Sequence, residues 1–308
     1  MKENTSSIHS KQEFLLFQKY LFPSVYILVV CLGLIGNLKA LHYFIFKIKR
    51  KSPSNIYIIN LAVADTLFLL ALPFWIHYHL SNSIWIFGDV MCRIVGTVSF
   101  ANMYISITFM TCICVDRYIA TLHPHTYLRL RNTSLTMMVS TTVWLVSGSA
   151  MLAFMLTCPL SAKDKKCFEG FSSKEWNDLA PYSVCSLILG SLLPSVVILV
   201  CYPVVAHRIS QIKNSTARGA RRVIYGILAI TVLCFLPYHV VHLVHLLSRL
   251  QQNKEDDWIY YLRRVTMALV SFNSVLDPLL YFFATGHNRL IWWNPLKHSL
   301  LDESSRLL

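Results

Sequence analysis

At 308 residues, 55% hydrophobic and only 14% charged, the chain is far more apolar than a water-soluble domain of its length. Its nine cysteines fall mostly inside apolar stretches, which excludes a small disulfide-framed secreted fold. The net charge of +13 calls for no nucleic acid, because one side of the apolar runs has short, densely basic loops while most acids fall on the other, and anionic membrane lipids and an intracellular protein are sufficient partners.

Apolar runs of about 20 residues, each long enough to cross hydrocarbon as a helix, recur near 22–46, 54–80, 90–121, 134–158, 182–209, 219–248 and 258–283. The predicted fold is therefore an all-α membrane protein, a seven-transmembrane helix bundle at 22–285 between an N-terminal segment 1–21 and a short tail 286–308. Lys47, Lys49, Arg50 and Lys51, with the basic stretch from Arg208 to Arg222, mark the cytoplasmic side and put the N-terminus outside. The polar opening segment has no cleavable leader, so the first span is expected to act as its own insertion signal. Of three Asn-X-Ser/Thr sequons, Asn4 then faces the glycosylation machinery while Asn132 and Asn214 face the cytosol.

Taken in order, the first span carries Gly36-Asn37, a small residue and an amide suited to close packing and an interhelical hydrogen bond. The second places Asp65 deep in the bilayer, where an unpartnered ionised carboxylate is very costly. Its candidate partners are Asn102 and Ser106 on the third span and Asn273 and Asp277 on the seventh, the last two sharing a helix face. This group could hold a small hard cation such as Na+, share a proton between two carboxylates, or form a polar network with no ion.

The third span opens at Cys92 and ends in Asp116-Arg117-Tyr118. Cys92 and Cys167, in the longest outer loop, both lie in the oxidising compartment and are the expected disulfide, with Cys158 the competing partner. The fourth span carries Trp144 and otherwise reads as lipid-facing; the fifth has Pro194 and Tyr202. In the sixth, Phe235 precedes Pro237, which removes a backbone hydrogen bond and makes a hinge. The seventh ends in Asp277-Pro278 with Tyr281 beyond.

Together, Gly36-Asn37, Leu61/Ala62/Asp65, Cys92, Asp116-Arg117-Tyr118, Trp144, Pro194/Tyr202, Phe235/Pro237 and Asp277-Pro278/Tyr281 resemble the rhodopsin-like (class A) G protein-coupled receptors across the whole bundle. The resemblance implies an outer ligand that biases two helix arrangements, a sixth span that swings at its inner end, and a heterotrimeric G protein that binds the opened cavity. Asp116 would hold Arg117 at rest and release it toward Tyr202 and the G protein, with Phe235, Pro237, Asp277, Pro278 and Tyr281 as further switch positions. Physically this is a population shift, to which a ligand contributes only its difference in affinity between the two states. Arrestin is a further implied partner.

Leu72-Pro73-Phe74-Trp75-Ile76, Trp85-Ile86-Phe87-Gly88, Asn102-Met103-Tyr104, Cys167-Phe168-Glu169, Pro237-Tyr238-His239 and Asp277-Pro278 resemble the branch holding purinergic-type nucleotide, lysophospholipid and acid-sensing receptors. Lys19-Tyr20-Leu21-Phe22-Pro23 and Val265-Thr266-Met267-Ala268-Leu269 look most like the acid-sensing group. The outer half is rich in histidine, with His77, His79, His239, His242 and His245. Imidazoles that repel once protonated could bias the bundle, or they could be merely solvated at the interface. Ser147 stands where acid-sensing receptors carry Glu, and Arg263-Arg264 where a histidine is expected. Those arginines, with His242, Lys165 and Lys166, suit an anionic head group instead, its tail among Phe100, Tyr104, Phe154 and Tyr238. Nucleotide receptors usually carry a cation where His242 stands, which favours an acidic lysolipid. The expected ligands are thus protons, an anionic lysolipid or both, with a nucleotide receptor or a constitutively active viral-type receptor as alternatives.

A transporter would show internal repeats or several charges along a path, which the sequence lacks. Reading Asp65 and Asp277 as an aspartyl catalytic dyad leaves Asp116-Arg117-Tyr118 without a role, so no enzyme and no cofactor beyond an allosteric Na+ at Asp65 is expected. In the tail, His287 to Trp293 are expected to form a short amphipathic eighth helix, ended by Pro295. Glu303 ahead of Leu307-Leu308 matches the acidic dileucine signals read by clathrin adaptors.

Overall fold

Inside hydrocarbon there is no water to bond an exposed amide, so each apolar run closes its own backbone ladder as a helix. The computed structural model describes residues 2–48, 52–130, 132–157, 166–167, 173–211, 224–250 and 257–278, and among these every regular element is helical. Among the described residues, six spans are long and apolar enough to cross a membrane: Gln18–Lys47, Pro53–Leu80, Gly88–Leu122, Thr133–Leu156, Ala180–Ser210 and Ile224–Ser248. A seventh helix, Asp257–Ser271, resumes after a one-residue break and continues to 278. The expected end of that span and the eighth helix lie outside the described residues.

The first helix starts at Lys2, well ahead of the span expected from 22, and runs to His42. Its 41 residues rise about 60 Å, against about 30 Å of hydrocarbon, so the helix is longer than a membrane crossing requires. Lys, Glu, Gln, Leu and Phe dominate residues 11–19 and are good or tolerable helix formers, so the polar segment continues the helix instead of ending it. The second span has a defined start: the Ser52 side chain accepts from the Asn55 backbone N–H and Pro53 occupies the first turn.

The third span is the axis of the bundle. Half of its most apolar window is buried, as in the second and sixth spans, against 6% for the fourth. Ile107, Phe109 and Met110 pack there against Tyr202 and Phe235 in one continuous core. The fourth span is pinned to the second by Trp144, whose indole N–H donates to Asn60 Oδ1 at 2.8 Å. The first approaches the seventh closely: a Cβ on Gly36 would sit 2.8 Å from Pro278 Cβ, and Asn37 Nδ2 donates to Ser274 O at 2.8 Å.

Two of the bends combine a proline with a widened turn. Residues Ile188–Leu192 and Thr231–Phe235 are π-helical, and each segment ends two residues before a proline, Pro194 and Pro237 respectively. Proline cannot donate to the carbonyl four residues back, and the π segment redistributes the hydrogen bonds around that gap. Outside, Gly88 takes a positive φ of 78° and accepts the Trp85 indole N–H at 2.8 Å, turning the loop into the third span. Cys92 is bonded to Cys167 with Cα atoms 5.7 Å apart, tying the outer loop to the third span. Cys158 lies outside the described residues.

Candidate functional site

The functional side chains form three layers along the bundle. In the inner layer, Arg117 Nη2 lies 3.1 Å from Asp116 Oδ2, the pair half-sheltered from solvent. Ser54, on the first turn of the second span and fully buried, completes a triangle: its hydroxyl donates to Asp116 Oδ2 and accepts from Arg117 Nε at 3.1 Å and from Nη2. Tyr202 is fully buried nearby in the core, and its hydroxyl has no hydrogen-bond partner among the described residues. Tyr118 is half-buried, its ring 6.1 Å from that of His123. Phe235 is fully buried and Pro237 half-buried on the sixth span. Pro278 is buried against Gly36. Tyr281 lies outside the described residues.

The middle layer centres on Asp65, which is fully buried. Its Oδ1 accepts from Ser274 at 2.8 Å, Asn102 at 3.4 Å and Ser106 at 3.5 Å. Asp277 is also fully buried and within electrostatic reach of Asp65. Asn273 turns its amide oxygen to Ser274 at 3.2 Å instead of bonding Asp65. Asp65 Oδ2, both Asp277 oxygens and Asn273 Nδ2 have no hydrogen-bond partner among the described residues. Two carboxylates with unused oxygens in a hydroxyl- and amide-lined space are a donor set that suits a small hard cation.

The outer layer does not present Arg263 and Arg264 as one grip. Successive helix residues point about 100° apart, and the two guanidiniums go to opposite sides. Arg263 faces the sixth span, with Nη1 3.1 Å from His245 Nε2 and with Tyr238 and His242 in electrostatic reach. Arg264, 9% exposed, turns instead to Tyr26, Tyr78 and His79 of the first and second spans. The histidines divide accordingly. His79 stacks on Phe22 at 4.7 Å, whereas His242 stacks on Tyr238 at 5.6 Å and His239 on Phe235 at 6.3 Å. His77 belongs to neither group; it meets Phe87 edge-on at 5.0 Å.

Of the expected tail contacts, Tyr104 donates to Ser186 of the fifth span at 3.2 Å, and Tyr238 is buried within electrostatic reach of Tyr104. Phe100 is half-buried, and Phe154 packs edge-on against Tyr182 at 6.4 Å. Lys166 is exposed. Lys165, Glu303, Leu307 and Leu308 lie outside the described residues, as does the side chain of Asn4. Ser54 and Ser274 bond directly to Arg117 and Asp65, and sequence reasoning missed both. The only prior signal was position: Ser54 opens the second span, and Ser274 sits between Asn273 and Asp277.

Residues 36–281 match the family described as 7 transmembrane receptor (rhodopsin family). The chain belongs to that family. It is 35% identical over 281 residues to the purinoceptor 1 of Rattus norvegicus, covering 87% of this chain and 75% of that protein. It is 32% identical over 295 residues to the G-protein coupled receptor 65 of Homo sapiens, covering 90% and 87%. The purinoceptor 1 of Gallus gallus is 34% identical over 281 residues, covering 87% and 77%. As a rhodopsin-family member the chain is a multi-pass plasma-membrane receptor that couples to a G protein and takes a small-molecule ligand; it is not an enzyme.

Proposed function

We propose that this receptor is activated by an anionic ligand, a phosphate or carboxylate group held at Arg263. The observation that carries the reading is the setting of that guanidinium: Nη1 is bonded to a histidine, and Nε has no partner among the described residues. The described carboxylates with placed side chains lie elsewhere, Asp65 and Asp277 at mid-bundle, Asp89 with Arg93 and Asp116 with Arg117. A guanidinium whose described partner is an imidazole and not a carboxylate offers its planar donors to an arriving oxyanion. The neighbouring aromatics Tyr104 and Tyr238 favour a lysolipid tail; the purinoceptor name of two relatives favours a nucleotide.

Ligand binding is read as a shift toward a state in which Arg117 leaves Asp116 and Ser54 for the hydroxyl of Tyr202, which has no hydrogen-bond partner among the described residues, while the sixth span bends at Pro237 and its π segment. Asp65 and Asp277, with Ser274, Asn102 and Ser106, are the residues that would hold an allosteric Na+. An extracellular N-terminus is supported by the Cys92–Cys167 bridge, since such bonds persist in oxidising compartments. Glycosylation at Asn4, arrestin binding and adaptor recognition of Glu303/Leu307/Leu308 belong to the same reading.

Protons are the second reading, favoured by three buried imidazoles, His239, His242 and His245, on one span beside Arg263. Cells expressing the receptor, challenged separately with lysophosphatidic acid, adenosine diphosphate and acid between about pH 8 and 6, discriminate these readings by G protein activation. An anion that activates at neutral pH supports the first reading. Activation by acid alone, with both anions inert, replaces it with the second.

A further inference from the structure

We propose that Tyr104, lodged against Gly190, keeps the hinge of the fifth span in its resting form, which makes Gly190 and Ser186 switch positions of this receptor. The inference goes beyond the reading above and holds whatever the charge of the ligand. The fifth span widens to a π turn at Ile188–Leu192, and Gly190 lies at the centre of that segment. Its missing side chain leaves a seat for the Tyr104 ring of the third span: a Cβ at Gly190 would stand 2.8 Å from Tyr104 Cδ1, 3.3 Å from Cγ and 3.4 Å from Cε1. Carbon atoms pack at about 3.5–4.0 Å, so no other residue at 190 leaves the ring where it is.

The ring is also fastened at its tip. Its hydroxyl donates to Ser186 Oγ at 3.2 Å, one turn outward from Gly190, while the Ser186 hydroxyl donates to Ser183 O at 3.0 Å. Ser186 belongs to the α-helical part that ends at Leu187, so one side chain bridges from regular helix to widened turn. That is a clamp across the boundary at which the span can bend.

Gly190 is the weak point of the backbone ladder. It precedes Pro194 by one turn, and proline has no N–H to give its carbonyl. Hydroxyls report the same irregularity. Elsewhere in the spans they bond back to the carbonyl one turn earlier, as Thr111 does to Ile107 at 2.7 Å and Ser140 to Thr136 at 2.9 Å, whereas the buried Ser191 and Ser195 have no hydrogen-bond partner among the described residues. A turn so sparsely bonded takes its shape from what leans on it, and Tyr104 does. Past the hinge the same helix carries Tyr202, which packs in the core with the third and sixth spans. When Tyr104 leaves Gly190 and Ser186, the turn is released and the inner half of the fifth span is free to bring Tyr202 toward Arg117. Tyr238 of the sixth span is in electrostatic reach of Tyr104, so a ligand entering between the two rings acts directly on the seat.

The test measures ligand-independent nucleotide exchange per receptor on heterotrimeric G proteins, offered one class at a time to full-length receptor in phosphatidylcholine nanodiscs. The variants are Gly190→Ala, Tyr104→Ala, the two together, Ser186→Ala and, as a control, Leu189→Ala at an exposed position of the same segment. Thermal melting of each variant establishes that it is folded; a role in packing alone lowers the melting temperature without raising exchange. The clamp predicts that Gly190→Ala and Tyr104→Ala each raise basal exchange by about twofold to tenfold, the range of one neutral hydrogen bond. Ser186→Ala should raise it less, and Leu189→Ala should leave it at the wild-type level. The double variant should match Tyr104→Ala alone, because the three atoms nearest the added Cβ all belong to the ring. Exchange at or below the wild-type level in folded Gly190→Ala or Tyr104→Ala, a double variant that multiplies the two single rises, or an equal rise in Leu189→Ala overturns the inference. Should Gly190→Ala not fold, Tyr104→Ala and Ser186→Ala decide it, and wild-type exchange in both overturns it.

Discussion

Ser54 holds Arg117 in the inner layer of the bundle: its hydroxyl accepts from the guanidinium Nε at 3.1 Å while donating to Asp116. Ser54, Asp116 and Arg117 thus form a three-membered latch across the second and third spans, in which the hydroxyl adds to the ion pair within the third. A hydrogen bond to a charged group contributes about 1.5–3 kcal/mol, and about 1.4 kcal/mol is a factor of ten in an equilibrium. Ser54→Ala should therefore raise ligand-independent G protein activation by about tenfold at matched surface expression, measured as nucleotide exchange on the G protein. Unchanged basal exchange would mean that the serine does not bias the switch.

Arg117→Ala removes the group that the G protein is expected to meet. Coupling should be lost while surface expression, measured by antibody on intact cells, stays near the wild type. Retained nucleotide exchange would remove Arg117 from the transduction path.

The Cys92–Cys167 bridge closes a separation of 75 residues. Cys92→Ser and Cys167→Ser should each impair surface delivery or ligand response, and the double variant should be no worse than either single one. Additive losses would show that the two thiols act independently.

At mid-bundle, Asp65 has one oxygen with three donors and one without a partner among the described residues. Replacing sodium by N-methylglucamine at constant ionic strength should change agonist affinity in the wild type and leave Asp65→Asn unaffected. Ser274→Ala, which removes the 2.8 Å donor, should reduce the sodium effect. Equal responses in all three would show that the pocket is a packing network without an ion.

The spans were legible because hydrocarbon imposes length and apolarity on a helix that crosses it, and the buried polar positions were legible because such groups need partners there. Asp65, Asn102 and Ser106 do meet. What escaped depends on angle and small displacement. Ser54 and Ser274 are short hydroxyls whose roles follow from where a backbone passes, not from residue type. The π segments before Pro194 and Pro237 shift the helical phase by one residue within apolar runs, where periodicity carries little signal. Arg263 and Arg264 make a pair in sequence only, since helical geometry separates adjacent side chains by about 100°. The early start of the first helix at Lys2 was hidden because polarity marks the end of a membrane span, not the end of a helix.

The central claim is that Arg263 receives the anionic group of the activating ligand. It is tested most directly by the concentration of lysophosphatidic acid or adenosine diphosphate, whichever activates the wild type, that half-activates the G protein in Arg263→Ala and Arg263→Lys at equal surface levels. Loss of a charge-assisted hydrogen bond worth about 1.5–3 kcal/mol predicts a half-maximal concentration at least about tenfold higher in Arg263→Ala, with Arg263→Lys between the two because an ammonium keeps the charge without the planar fork. An unchanged half-maximal concentration in Arg263→Ala would contradict the account.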